Sequence, residues 1–263
     1  MDLVGLSLPL ILVFWQWTTT TGAAVTYWTY TGSVGQSKWA EYFPDCGGKA
    51  QSPVDVAAVQ TQYDPSLDPL TPLGYGQHGN KPFSLYNNGH TVMVPLPDWM
   101  GVEGLPWQFT AVQMHLHWGN GAPGAGGSEH TINGQSTAAE LHLVHYNSEL
   151  YPNMSVAMTQ QDGLAVLGVL IEVGTFIPPF LPPFLPPFLP PWSGQSVSIP
   201  AFDVQSLLPS DLGRYYRYNG SLTTPPCFQS VLWTLFTETV KISHTQVREG
   251  VCVCDGEILM HFA

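Results

Sequence analysis

The sequence predicts a single, mainly β domain, and three stretches carry that expectation. Residues 113–118 (QMHLHW) and 139–146 (AELHLVHY) largely alternate polar with apolar side chains, the period-two pattern of strands. Residues 163–174 form a nearly continuous apolar run, as expected of a central strand covered on both faces. At 263 residues the chain can build one substantial core, and no compositional break calls for a second.

The remaining elements follow in chain order. An apolar opening, MDLVGLSLPLILVFWQW, precedes small residues near Gly22–Ala24; too short to span a membrane comfortably, it reads as a cleaved secretory signal over residues 1–24, although Asp2 stands where a basic residue is usual. Residues 25–50, rich in Tyr, Trp and Gly, read as irregular structure wrapped over the domain. A strand or edge begins at 51–56, and 83–94 reads as a strand broken by a turn at Asn88-Gly89. His90 beside that turn is expected to be accessible and to titrate near neutrality. The Gly-rich connection 119–130 excludes a helix and lacks a phosphate-binding signature.

From 177 to 192 the unit Pro-Pro-Phe-Leu repeats. Paired prolines exclude a helix and a central strand and leave polyproline II, about 45 Å long at ~3.1 Å per residue. Phe180, Phe184 and Phe188 would face three directions, so no single apolar stripe forms. The repeat reads as a low-complexity insertion rather than a ligand for a proline-reading groove.

Only 10% of residues are charged, with 7 Lys and Arg against 19 Asp and Glu and a net charge of −12. That balance argues against nucleic acid or an anionic membrane surface as partner. A secreted chain oxidises its cysteines, and four of them allow three pairings. The sequons at Asn153 and Asn219 fit passage through the secretory pathway.

Chemistry concentrates in the two alternating stretches. Alternation puts His115 and His117 on one face, half of a metal site, and puts Glu140, His142 and Val144 on one face of the second strand. If the strands are neighbours, His142 supplies a third nitrogen, and three histidines leave one tetrahedral position of Zn2+ open, as in catalytic sites. Gln113 and Glu140, each two residues before a ligand, can accept the other N–H of His115 and His142. An isolated histidine on a strand is more often an ordinary hydrogen-bonded residue; three with matched acceptors are harder to assemble by accident.

The segments QMHLHW, GGSEH, AELHLVHY and NGSLTTPPC, in this order and spacing, resemble the α-carbonic anhydrase family, and within it the extracellular, membrane-associated branch. The resemblance runs from about Trp28 to Val173, resumes near Ile199 and fades after Arg248. It implies a catalytic domain over 25–250, mainly β (α+β), built on a large, twisted, mostly antiparallel sheet with short peripheral helices. It also implies Zn2+ and reversible hydration of carbon dioxide through zinc-bound hydroxide. In that scheme Thr223 is the gatekeeper hydroxyl, Glu129 orients it, and His90 shuttles protons. Val144, Val166, Leu222, Thr224 and Trp233 line the substrate pocket, Tyr30 lies at its polar side, and Cys46 pairs with Cys227.

Some features depart from the family. Met93 replaces a common amide residue, and the repeat replaces a surface helix. The divergent tail, 251–263 with Cys252 and Cys254, lacks both the segment whose backbone holds His117 and a transmembrane anchor. Small-molecule CO2 and bicarbonate, no nucleic acid and a secreted location are the expectations that follow. The alternative is a secreted carbonic-anhydrase-like binding module, catalytically impaired by the altered tail.

Overall fold

The alternating segments become paired strands in the computed structural model, which describes residues 27–77, 81–119, 126–174 and 194–243. The N-terminal apolar run, the repeat at 177–192 and the tail at 251–263, Cys252 and Cys254 included, lie outside the described residues. In chain order the strands are β1 (Asp55–Val56), β2 (Thr71–Leu73), β3 (Phe83–Asn87), β4 (Val92–Pro95), β5 (Gly101–Glu103), β6 (Phe109–Trp118) and β7 (Thr131–Ile132). They continue as β8 (Ala139–Asn147), β9 (Leu164–Gly174), β10 (Ser196–Ile199), β11 (Tyr215–Gly220), β12 (Val231–Phe236) and β13 (Val240–Ser243). Two single-turn helices, α1 (Trp39–Tyr42) and α2 (Met154–Ala157), lie among short 3-10 turns.

Eleven of the described strands make one sheet with the main order β10-β3-β4-β6-β8-β9-β12-β11. It is mostly antiparallel; β12 and β13 run parallel to β9. The apolar run places β9 at the sheet's interior, with every residue from Leu164 to Ile171 buried. The expected break at Asn88-Gly89 is the turn joining β3 to β4.

Register decides which side chains meet, because residues directly opposite on neighbouring strands share a face. His115 pairs with His142, His117 with Glu140, and Gln113 with Val144. A bulge at Val112 then inserts one residue, so that Ala111 pairs with His145 instead of continuing the Gln113 face. Ala111 thereby joins Met114, Leu141 and Leu143 in the larger core. On the histidine side, Val144, Val166 and Trp233 lie in one register row and form a second core cluster with Leu164 and Val231. β8 consequently serves both cores, Leu141 and Leu143 in one and Val144 in the other.

Candidate metal centre

Three imidazole nitrogens converge between β6 and β8. His115 Nε2 lies 3.1 Å from His117 Nε2 and 3.3 Å from His142 Nδ1. Two nitrogens bound tetrahedrally at ~2.0–2.1 Å would sit about 3.3 Å apart, so the spacing fits a zinc ion. A donor set of three imidazoles also suits that metal's chemistry. His115 is part-buried and the other two are buried.

The outer nitrogens are all faced by side-chain oxygens. His115 Nδ1 is 2.9 Å from Gln113 Oε1, and His142 Nε2 is 2.7 Å from Glu140 Oε1. With the outer N–H donating, each inner nitrogen keeps a lone pair for a metal. His117 Nδ1 lies 3.2 Å from Glu129 Oε1. The sequence suggested no partner for it within the described part of the chain; the structure supplies one from the connection between β6 and β8.

Glu140 is the most tightly held group at the site. It accepts the His142 N–H, the backbone N–H of His130 at 2.8 Å and the His130 ring N–H at 2.7 Å. Burial alone would raise its pKa, but the His142 charge and the hydrogen bonds from His130 and His142 outweigh it and hold the carboxyl well below the usual carboxylate range. Gly168, opposite His142, leaves the carboxylate its room: a Cβ there would lie 3.0 Å from Leu235 Cδ1 and 3.3 Å from Glu140 Oε1.

Behind Glu140 runs a chain that motif reading missed. His130, fully buried, has Nε2 2.6 Å from the Tyr218 hydroxyl, which is 2.8 Å from Ser52 Oγ. Ser52 and Ser221 then exchange bonds, each backbone N–H donating to the other's hydroxyl. The only local signal was His130 itself, directly after Glu129; its partners come from distant parts of the chain.

Burial pushes His115 down to about 3 and His117 well below the ordinary imidazole range, so both are neutral imidazoles, each with a single N–H, at neutral pH. Burial raises Glu129, while the His142 charge and a hydrogen bond from Thr223 partly offset it. One carboxylate oxygen, Glu129 Oε2, is buried without a hydrogen-bond partner.

Thr223 follows Leu222, whose N–H donates to Phe228 O, and the loop is closed by the Cys46–Cys227 disulfide. Leu222 packs against Val144, Val166 and Trp233, so these four side chains meet in one apolar cluster. Thr224 is half-buried beside them in the chain, its carbonyl accepting from Cys227 N–H. His90 differs from the exposed residue expected: its ring stacks on Trp28 at 3.7 Å, with Tyr30 edge-on at 6.4 Å, and burial lowers its pKa. Both sequon asparagines are exposed, Asn153 as the N-cap of α2 and Asn219 on β11.

Imidazoles converging from neighbouring strands of a large sheet define a mostly β protein with a three-histidine group able to hold a metal. The family model for eukaryotic-type carbonic anhydrase matches residues 34–255, and the chain belongs to that family. It is 49% identical over 220 residues to carbonic anhydrase 12 of Homo sapiens, covering 84% of this chain and 62% of that protein's length. It is also similar to carbonic anhydrase 6 of Homo sapiens, 39% over 227 residues, with 85% and 73% of the two chains covered. Against carbonic anhydrase 6 of Bos taurus the identity is 40% over 226 residues, covering 84% and 70%. No helix among the described residues is long and apolar enough to cross a membrane.

Proposed function

We propose that this chain catalyses the reversible hydration of carbon dioxide to bicarbonate and a proton, with Zn2+ held by His115, His117 and His142. The observation that carries the reading is the convergence of three inner nitrogens whose outer nitrogens all face side-chain oxygens. When bound, Zn2+ supplies a Lewis acid that makes hydroxide available from water near neutral pH, an established property of carbonic anhydrases in general.

The chain's own residues set up the rest. Gln113 and Glu140 fix the tautomers of His115 and His142. Thr223 donates to Glu129, which leaves the threonine oxygen as the acceptor for the attacking hydroxyl and so fixes the direction of attack. Val144, Val166, Leu222 and Trp233 offer an apolar wall to an apolar substrate, with Thr224 at its polar margin. His90 takes the released proton: partial burial lowers its pKa below the ordinary imidazole value, so it is neutral, and therefore a base, at pH 7.

The same reading extends to processing: a signal peptide over 1–24, a catalytic domain over 25–250, a secreted location and glycans on Asn153 and Asn219. The disulfide and the exposure of both asparagines support it.

Zinc content and CO2 hydration, measured on secreted protein recovered from a size-exclusion column, test the assignment. Stoichiometric zinc with zinc-dependent hydration is expected. Zinc without hydration would leave the binding-module reading, and soluble chain without zinc would overturn both the metal and the reaction.

A further inference from the structure

The row of side chains behind Glu140 can carry its protons in one direction better than in the other. As a carboxylate, Glu140 can only accept. Its Oε1 faces two imidazoles at once, His130 Nδ1 and His142 Nε2, each at 2.7 Å. Both nitrogens therefore donate there, and the state of His130 Nε2 is left to whatever stands behind that ring.

Behind it stands the Tyr218 hydroxyl at 2.6 Å, and behind the tyrosine Ser52 Oγ at 2.8 Å. Ser52 Oγ already accepts the backbone N–H of Ser221 at 3.1 Å. If Ser52 donates to Tyr218 and Tyr218 donates to His130 Nε2, every proton in the row has an acceptor. In the reverse order His130 would carry two ring protons, and the Ser52 hydroxyl would have no acceptor among the described residues. A buried donor left unpaired is costly, which selects the first order.

The fold is shaped around this row. His130, Glu140 and Ser221 are fully buried, and Ser52 nearly so. The Tyr218 ring lies parallel to Trp233, its register partner, with centroids 6.4 Å apart. Gly220 leaves the room: a Cβ there would run into Ser52 Oγ and lie 2.7 Å from Tyr218 Cε2. At the far end the Ser221 hydroxyl donates to Leu222 O, and the Ser221 carbonyl accepts from Trp233 Nε1. The row thus begins two residues before Thr223 and ends at His142.

We propose that Tyr218 is a positioning residue for the metal centre: by donating to His130 Nε2 it holds that ring in the Nδ1–H tautomer, which keeps Glu140 aimed at His142. This role rests on the zinc assignment proposed for His115, His117 and His142. Without the tyrosine proton the other tautomer becomes accessible, and it would turn a ring lone pair toward Glu140 Oε1. The carboxylate would be repelled from the place where it accepts from His142, and His142 would lose the partner that fixes its tautomer. Tyr218 touches neither metal nor substrate in this scheme; it acts through His130 and Glu140.

The first measurement needs no variant: a long-range proton–nitrogen correlation spectrum of the full chain with nitrogen-labelled histidines. His130 should carry a single ring proton, on Nδ1. Tyr218→Phe should populate the Nε2–H form and raise the rate of zinc dissociation into excess chelator about tenfold. Ser52→Ala, which leaves the tyrosine able to donate, should lower the unfolding midpoint while the tautomer and the dissociation rate stay those of the parent. In a His130→Asn background, where an amide donates to Glu140 and there is no tautomer to select, Tyr218→Phe should lose its effect on zinc. A zinc-holding parent whose His130 is doubly protonated or Nε2–H overturns the proposal, as does dissociation that merely tracks the unfolding midpoint across the variants. A parent that shows the Nδ1–H form but holds no zinc overturns the metal assignment, and this role with it.

Discussion

Two halves of the candidate site are built by different means. The histidines stand on neighbouring strands inside a large sheet, with His115 directly opposite His142. Glu129, Thr223 and His90 arrive on connections: the segment after β6, the disulfide-closed loop before β12, and the turn between β3 and β4. The strand half takes its geometry from a ladder of backbone bonds and a buried row beneath it. The loop half takes its geometry from individual contacts. Metal affinity should therefore follow the strands, and turnover should follow the loops.

The sharpest test of that division is His117→Ala. Stoichiometric zinc should disappear, as read by metal analysis after gel filtration, while the circular dichroism of the sheet persists. Retained zinc would remove His117 from the site.

Next comes the anchor of the loop half. The disulfide closes a loop with a sequence separation of 181, and the chain-entropy model assigns such a crosslink about 5 kcal/mol. Replacing both Cys46 and Cys227 by serine should lower the denaturant midpoint by up to that equivalent, and the variant that still folds should lose turnover before it loses zinc.

Acid should weaken the strand half through His145, which is fully buried against Tyr75, with Nε2 2.6 Å from its hydroxyl. Burial lowers its pKa to about 4 from 6.5. The unfolded chain therefore binds the proton first, and the stability this residue contributes is complete above pH 6.5 and is lost as pH falls toward 4. The loss is roughly 3 kcal/mol. Urea midpoints at pH 7 and pH 4.5 should show it, and a His145→Leu variant, less stable at pH 7, should show a flatter dependence.

For the loop half, His90→Ala should slow hydration by about 10²-fold in weak buffer with zinc unchanged, and added imidazole should restore part of the rate. A variant as fast as the parent in weak buffer removes His90 from proton transfer.

Glu129 breaks the division, since it sits on a connection yet lies 3.2 Å from a proposed ligand's outer nitrogen. Glu129→Gln should weaken zinc by about 10- to 100-fold, the usual effect of losing a ligand's outer partner. Thr223→Val should leave zinc affinity unchanged and lower turnover. If both variants spare the metal, Glu129 belongs wholly to the loop half and the His117 contact carries no weight.

Legibility in the sequence followed the range of the interaction. The shared face of Gln113, His115 and His117 was readable because a strand's period is local, and the run at 163–174 was readable because burial on both faces leaves no polar stripe. The bulge at Val112 was not: VQM alternates as well with it as without it, and only the partner strand reveals the extra residue. That His142 faces His115 required a pairing that spacing does not encode. The chain His130–Tyr218–Ser52 was invisible for the same reason, its members lying 88 and 166 residues apart.

The direct pairing of His115 with His142 also has a meaning in time. Their contact spans 27 residues, a short loop to close, whereas Thr223 and Cys227 lie far downstream. A ribosome delivers the chain from its N-terminus, so both histidine strands emerge before Thr223, the proposed gatekeeper, or the second half of the disulfide has been made. The nascent protein can therefore acquire the means to hold a metal well before it acquires the means to direct its chemistry.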